Sequence, residues 1–104
     1  MKDAWRHFAA EFVGVFALTF IGGGAIIASK STAGVGLLDV ALAHGIALAI
    51  MVSATMRISG HINPAVTIGF LVTRRIEPMM AGVYIVAQLL GAVAAVAALK
   101  FFMP

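Results

Sequence analysis

Apolar side chains run with little interruption through four stretches free of charged residues, at 12–29, 40–56, 58–73 and 78–99. A spanning helix needs about 20 predominantly apolar residues to cross a hydrocarbon layer about 30 Å thick. The first stretch reaches that length, from about residue 8 to residue 28, once the single Glu11 inside it is included. Leu37 to Met56 makes a second span, and Met79 to about Phe101 a third. Asp39 stands near the start of the second, where a carboxylate suits a helix N-terminus. Pro78 stands at the start of the third, where its missing N–H does no harm. Between the first two spans, Lys30 to Gly36 carries Ser, Thr and Gly and reads as a short loop. Small residues recur at every fourth position, at Ala41, Gly45 and Ala49 and at Ala87, Gly91 and Ala95. That spacing allows close helix–helix approach in lipid, or simply follows from an alanine-rich composition. The opening run also has the outline of a secretory signal, with Lys2 and Arg6 ahead of it and Ala28-Ser29 placed like a cleavage site. Glu11 within the apolar stretch, and a run longer than the usual signal core, favour a permanent helix.

The stretch between Arg57 and Arg74 does not fit an ordinary span. It holds Ser59, Gly60, His61, Asn63 and Pro64 before turning apolar from Ala65 to Val72. Pro64 interrupts any helix arriving from its N-terminal side. A re-entrant segment resolves the conflict. Residues 57–62, if extended, cover roughly 20 Å, and residues 63–74 as a helix cover roughly 18 Å, each about half a bilayer. The chain would dip to the midplane, begin a half-helix at Asn63-Pro64 and return to its own side at Arg74-Arg75. The expected fold class is therefore an all-α membrane protein: three transmembrane helices (about 8–28, 37–56 and 79–101) and a re-entrant loop and half-helix at 57–74, in one small unit over 1–104.

Charge and composition agree. The 104 residues are 62% hydrophobic and 11% charged, where a soluble domain carries about 25% charged residues; the mean hydropathy is +1.10. With the re-entrant segment, Lys2, Arg6, Arg57, Arg74 and Arg75 share one side and Lys30 and Lys100 the other. A full crossing at 58–73 would reverse that bias. Lys and Arg favour the cytoplasmic side, so a multi-pass protein of the cell membrane with its amino terminus in the cytoplasm is expected. The net charge of +3 and the pI near 10.0 are thus explained by topology, and no nucleic-acid partner is expected. The absence of cysteine removes disulfide frameworks, thiolate catalysis and cysteine-ligated zinc.

Non-helical backbone at membrane depth is tolerated only where protein buries it or a water-filled cavity receives its polar groups. The dip therefore implies a cavity. The first N–H groups of the half-helix, its dipole and the Asn63 side chain would face the midplane, where they orient a neutral dipolar molecule and repel cations. The plainer role for Asn63 and Pro64 is an N-cap followed by an N1 proline, a common pair. The two roles are compatible.

Ser59-Gly60-His61-Ile62-Asn63-Pro64-Ala65-Val66-Thr67 resembles the first Asn-Pro-Ala signature of the aquaporin family of major intrinsic proteins. Ala10-Glu11-Phe12-Val13-Gly14, Ala43-His44-Gly45 and Gln88-Leu89-Leu90-Gly91-Ala92 extend the resemblance over residues 8–100, in family order and spacing. It implies a water channel or related pore of two inverted repeats, of which this chain is similar to the N-terminal one. In that family two Asn-Pro-Ala half-helices meet at the midplane and their asparagines donate to a passing water, polyol or similar solute. Asn63, Pro64 and Ala65 match one of them. Carbonyls of the preceding segment, by position Gly60, His61 and Ser59, would line the cytoplasmic half of the pore, and the His61 side chain would brace the loop. One departure stands out: the family usually has a further residue between the Gly and the His, so the carbonyl ladder here would lose a rung or shift register. Arg57 also follows Met56, where a Gly is frequent.

The resemblance makes Glu11 a brace that accepts hydrogen bonds from the re-entrant backbone. Intramembrane carboxylates are costly and demand a partner or a cavity, and a proton relay or snorkelling to the interface are the other readings. His44 aligns with a helix-2 position of the narrow selectivity region, where a histidine suggests a tight polar constriction favouring water, or ammonia, over glycerol; a histidine hydrogen-bonded between helices is the plainer reading. Gln88 braces the loop or merely packs. The function expected is passive transport of water or a similarly small neutral solute, with no catalysis, metal or cofactor. The partners expected are the lipid bilayer, a second repeat or partner half to close the pore, and further copies, a tetramer in the family. The length points to the front half of a longer protein. A non-conducting membrane scaffold is the alternative, and a metal or proton site formed by Glu11, His44 and His61 is a distant third.

Overall fold

The structure is a computed structural model, and it describes residues 3–103. Four helices follow in order: α1 (Ala4–Ser31), α2 (Leu37–Thr55), α3 (Pro64–Val72) and α4 (Pro78–Phe102). α1, α2 and α4 are each long and apolar enough to cross a membrane. α3, at nine residues, is only about 13 Å long. The expected fold class is the one the structure shows.

α1 is the centre of the assembly. It packs against both α2 and α4, and α3 rests on α4. The direction of each pairing is set by residue contacts. His7 and Glu11 of α1 meet Tyr84 and Gln88 of α4, and farther along Phe20 meets Phe102, so α1 and α4 run parallel. Gly22 of α1 lies against His44 of α2, and Arg6 shares a groove with Thr55, so α1 and α2 run antiparallel. A third helix parallel to the first requires that the chain between α2 and α4 return to the side it left. The segment at 57–74 is therefore re-entrant. Arg6, Arg57, Arg74 and Arg75 lie toward this shared end; Lys2, counted with them in the charge bias, lies outside the described residues.

Local chemistry ends each helix. Thr32 N–H donates to the Ala28 carbonyl to close α1, and Gly36 N–H donates to Asp39 Oδ2 at 2.8 Å to open α2. Asn63 caps α3, its Oδ1 accepting from Ala65 N–H at 2.8 Å with Pro64 as the first helical residue. At the far end of α3, Arg74 takes φ 62° and Arg75 N–H returns to the Phe70 carbonyl at 2.8 Å. This left-handed cap turns the chain into Pro78.

Two expectations change. The descending segment is not extended from Arg57: Ile58 and Ser59 N–H groups both donate to the Thr55 carbonyl, so the chain makes one further turn and runs free only from Ser59. Backbone donors at a helix end bond the nearest carbonyl when lipid offers no alternative. Of the two small-residue stripes, Ala87, Gly91 and Ala95 are buried, whereas Ala41, Gly45 and Ala49 are exposed. The spacing marks a face that permits close approach without naming the partner, and α2 meets only α1, through the face holding His44 and Ala47.

The tightest approach is at Gly91, where an added Cβ would lie 2.5 Å from the Phe12 carbonyl oxygen, whereas nothing lies within 4 Å of one added at Gly45. Backbone cannot rotate away as a side chain can. Gly91→Ala is expected to lower stability in thermal unfolding of the detergent-solubilised chain by about 1–3 kcal/mol. Gly45→Ala should leave it level or raise it by up to about 1 kcal/mol through helix propensity.

Candidate functional site

The site is built around Glu11, which is fully buried on α1. Its Oε2 accepts from the Ser59 hydroxyl at 2.6 Å and from His61 N–H at 3.1 Å. Its Oε1 accepts from Ile62 N–H at 2.7 Å and from Gln88 Nε2 at 2.6 Å. Four donors fill the four acceptor positions of a carboxylate. Two of them are backbone groups of the re-entrant segment, which has no helix or sheet to satisfy them.

Gln88, also fully buried, uses its second amide proton toward Thr67 Oγ1 at 3.0 Å. The direction of this amide is not free, since turning it over would set its carbonyl oxygen against Glu11. Its Oε1 is left without a partner among the described residues. The Thr67 hydroxyl shares its remaining contacts with His61 Nδ1 at 2.9 Å and the Asn63 carbonyl oxygen at 3.4 Å. The His61 ring stacks on Phe70 with centroids 4.5 Å apart and meets Tyr84 edge-on at 4.8 Å. The Tyr84 hydroxyl closes the cluster on His7 Nδ1 at 2.6 Å.

Backbone conformation shows how tightly the segment is held. Gly60 has φ 80°, and an added Cβ would lie 3.0 Å from Met56 Cα; only glycine fits. Ile62 has φ 60°, a conformation that costs a β-branched residue of order 1–3 kcal/mol. Its N–H bond to Glu11 and its side chain, buried against Gly14, hold it there. Asn63 follows, exposed at the tip of α3. Pro64 has no N–H and that of Ala65 is taken by Asn63 Oδ1. The expected row of backbone donors is therefore shortened, and the Asn63 side-chain NH2 becomes a prominent donor at the tip.

The structure thus brings Glu11, Gln88, Ser59, His61 and the Asn63 backbone into one network, with Gly60, Pro64 and Ala65 as its immediate neighbours. His44 is apart. Its Nδ1 lies 2.8 Å from the Val40 carbonyl oxygen, so Nδ1 carries the proton and donates within its own helix, while the ring fills the space left by Gly22 of α1. No bond between helices is made by that nitrogen. Tyr84, Thr67, Phe70 and His7 were not foreseen as members of the cluster. The signal for two of them was present in the spacing, since His7 precedes Glu11 and Tyr84 precedes Gln88 by four residues, which sets each pair on one helix face.

Comparison with known proteins follows the same line. The family description that matches is Major intrinsic protein, over residues 1–104. The chain belongs to this family. It is 44% identical over 103 residues to aquaporin TIP4-4 of Zea mays, covering 92% of this chain and 41% of that protein. It is 42% identical over 98 residues to the glycerol uptake facilitator protein-like 6 of Lactiplantibacillus plantarum, covering 93% and 44%. It is 46% identical over 101 residues to the lens fiber major intrinsic protein of Ovis aries, covering 96% and 38%. The chain spans about two fifths of the length of these relatives. As a major intrinsic protein with three helices able to cross a membrane, it is a multi-pass membrane protein of a channel family for small solutes.

An amide at position 11 would point an NH2 group at donors. Glu11→Gln is expected to destabilise the detergent-solubilised chain by about 2–4 kcal/mol, because two buried donors lose their acceptor. Thermal unfolding checks this, and unchanged stability would show that the four bonds to Glu11 do not hold the segment.

Proposed function

We propose that this major intrinsic protein forms one half of a passive channel for water or a similarly small neutral solute in the cell membrane, with its amino terminus in the cytoplasm. The observation that carries the reading is the tip of α3. The Asn63 side-chain oxygen Oδ1 is spent on Ala65 N–H of its own helix, which leaves its NH2 as a directed donor to a solute oxygen. A donor at the positive end of a helix receives a neutral dipole and disfavours cations. Ser59, Gly60 and His61 supply carbonyls along the approach, and Glu11 and Gln88 keep that backbone from collapsing. His44, on α2, narrows the path. A small polar constriction favours water or ammonia over glycerol, although one relative is named a glycerol uptake facilitator. No bond is made or broken, and no metal or cofactor takes part.

Asn63 is exposed in the single chain, so the pore is closed by a second half facing it, either a further repeat or a partner chain, and by family likeness the channels assemble as oligomers. Reconstitution that inserts the chain in both directions lets two copies meet tip to tip. Liposomes containing the chain are then expected to shrink faster under an osmotic step than empty ones, as followed by light scattering. Asn63→Asp, which replaces the donor by a charged acceptor, should remove the difference. Inserted, folded chain that shrinks no faster than empty liposomes contradicts conduction by paired copies of this half and leaves it an incomplete repeat or a scaffold subunit.

Orientation is separately testable because the chain has no cysteine. A single cysteine at Arg75 is expected to react with an impermeant thiol reagent only from the cytoplasmic side, and one at Ala33 only from the other side.

A further inference from the structure

We infer that the groove between the start of α1 and the end of α2 binds an anionic phospholipid. The groove has a volume of about 340 Å³ and is almost wholly apolar. Trp5, Ala9 and Val13 form one wall, at successive turns of α1, and Thr55 and Ile58 form the other. It exists because the chain leaves α1 at this point: α2 ends at Thr55, and the turn through Met56 to Ile58 carries the backbone toward Glu11, leaving the outer face of α1 uncovered. At 100° per residue, Val13 lies roughly 200° around α1 from Glu11. The groove and the Glu11 cluster are therefore on opposite faces, and an occupant here does not meet the Asn63 tip.

Charge selects the occupant. Arg6 lines the groove, and Arg57, exposed, lies in sequence between the lining residues Thr55 and Ile58. No acidic residue lines it; Asp3 lies one turn earlier and Glu11 is committed to four other donors. Trp5, 70% exposed, takes the interfacial position that amphipathic aromatic rings favour. An apolar slot for an acyl chain, an indole at headgroup level, the Arg6 guanidinium in the lining and the further positive charge of the neighbouring Arg57 fit a lipid with net negative charge. The groove near the other basic turn has a similar volume, but Glu77 sits among Arg74 and Arg75 in its lining and offsets their charge. The inference requires only that the chain is inserted in a membrane and is independent of conduction.

Trp5 is the one tryptophan of the chain, so its fluorescence reports on this groove alone. The chain is reconstituted in phosphatidylcholine vesicles holding a small fixed fraction of lipid brominated on its acyl chains, either phosphatidylglycerol or phosphatidylcholine. Bromine quenches indole on contact. Brominated phosphatidylglycerol is expected to quench more strongly, reflecting enrichment at the groove of roughly fivefold per arginine, and excess unbrominated phosphatidylglycerol should reverse it. Arg6→Gln with Arg57→Gln should bring the two lipids level. Arg74→Gln with Arg75→Gln, an equal loss of charge, should leave the preference intact; far-UV circular dichroism checks that each variant is folded. Equal quenching by the two lipids in the unaltered chain overturns the proposal. So does a preference that falls equally in both double variants, which is general attraction to a basic surface. Absence of quenching by either lipid, with a cross-linked dimer present, means that a second copy covers the groove and also overturns it.

Discussion

A carboxylate buried inside a membrane helix, paired with four donors and, among the described residues, with no cation, is the interaction on which this chain depends. Lipid offers nothing to an unpaired backbone N–H, so a segment that is neither helix nor strand can reach membrane depth only if the protein supplies an acceptor. Glu11 supplies two oxygens to His61 N–H, Ile62 N–H, the Ser59 hydroxyl and the Gln88 amide. The strained turn at Ile62, the position of Asn63 and the direction of α3 follow from those bonds. So does the course of the chain, because only a segment that turns back lets α4 run parallel to α1.

The same interaction explains why the central packing is made of small residues. Gly14 leaves room for Ile62 and Gly91 lets α4 approach the Phe12 backbone, which brings Gln88 within reach of Glu11. Bulk on these faces would separate the helices and break the network even with every polar residue in place. The aromatic group of His7, Tyr84, His61 and Phe70 then ties the start of α1 to α4, the loop and α3. In the proposed channel the donor at the tip of the half-helix passes a neutral solute only if it is held still, and this framework holds it from three helices.

Much of this was legible in the sequence, for physical reasons that can be named. Spans follow from length and hydropathy alone, and the re-entrant segment follows from Pro64 and the polar cluster before it. Glu11 stood out because a carboxylate in an apolar run needs a reason. What was less legible is which faces meet. Ala41, Gly45 and Ala49 share the spacing of Ala87, Gly91 and Ala95, yet only the second set is buried, since spacing describes one surface and packing needs two. The extra turn at Ile58 depends on where a free carbonyl lies, and His44 bonding its own helix depends on a rotamer. Tyr84 and Thr67 are ordinary residues until the fold places His61 between them.

The central claim is that Glu11 holds the backbone of the re-entrant segment at membrane depth. Amide hydrogen exchange of His61 and Ile62 in the membrane-inserted chain, resolved by NMR, tests it most directly. The account predicts that both amides exchange far more slowly than those of the exposed turn at Ala33 and Gly34, as expected for buried, bonded donors. Exchange at His61 and Ile62 as fast as in that turn would contradict it, and would mean that the segment is solvated and not held by the carboxylate.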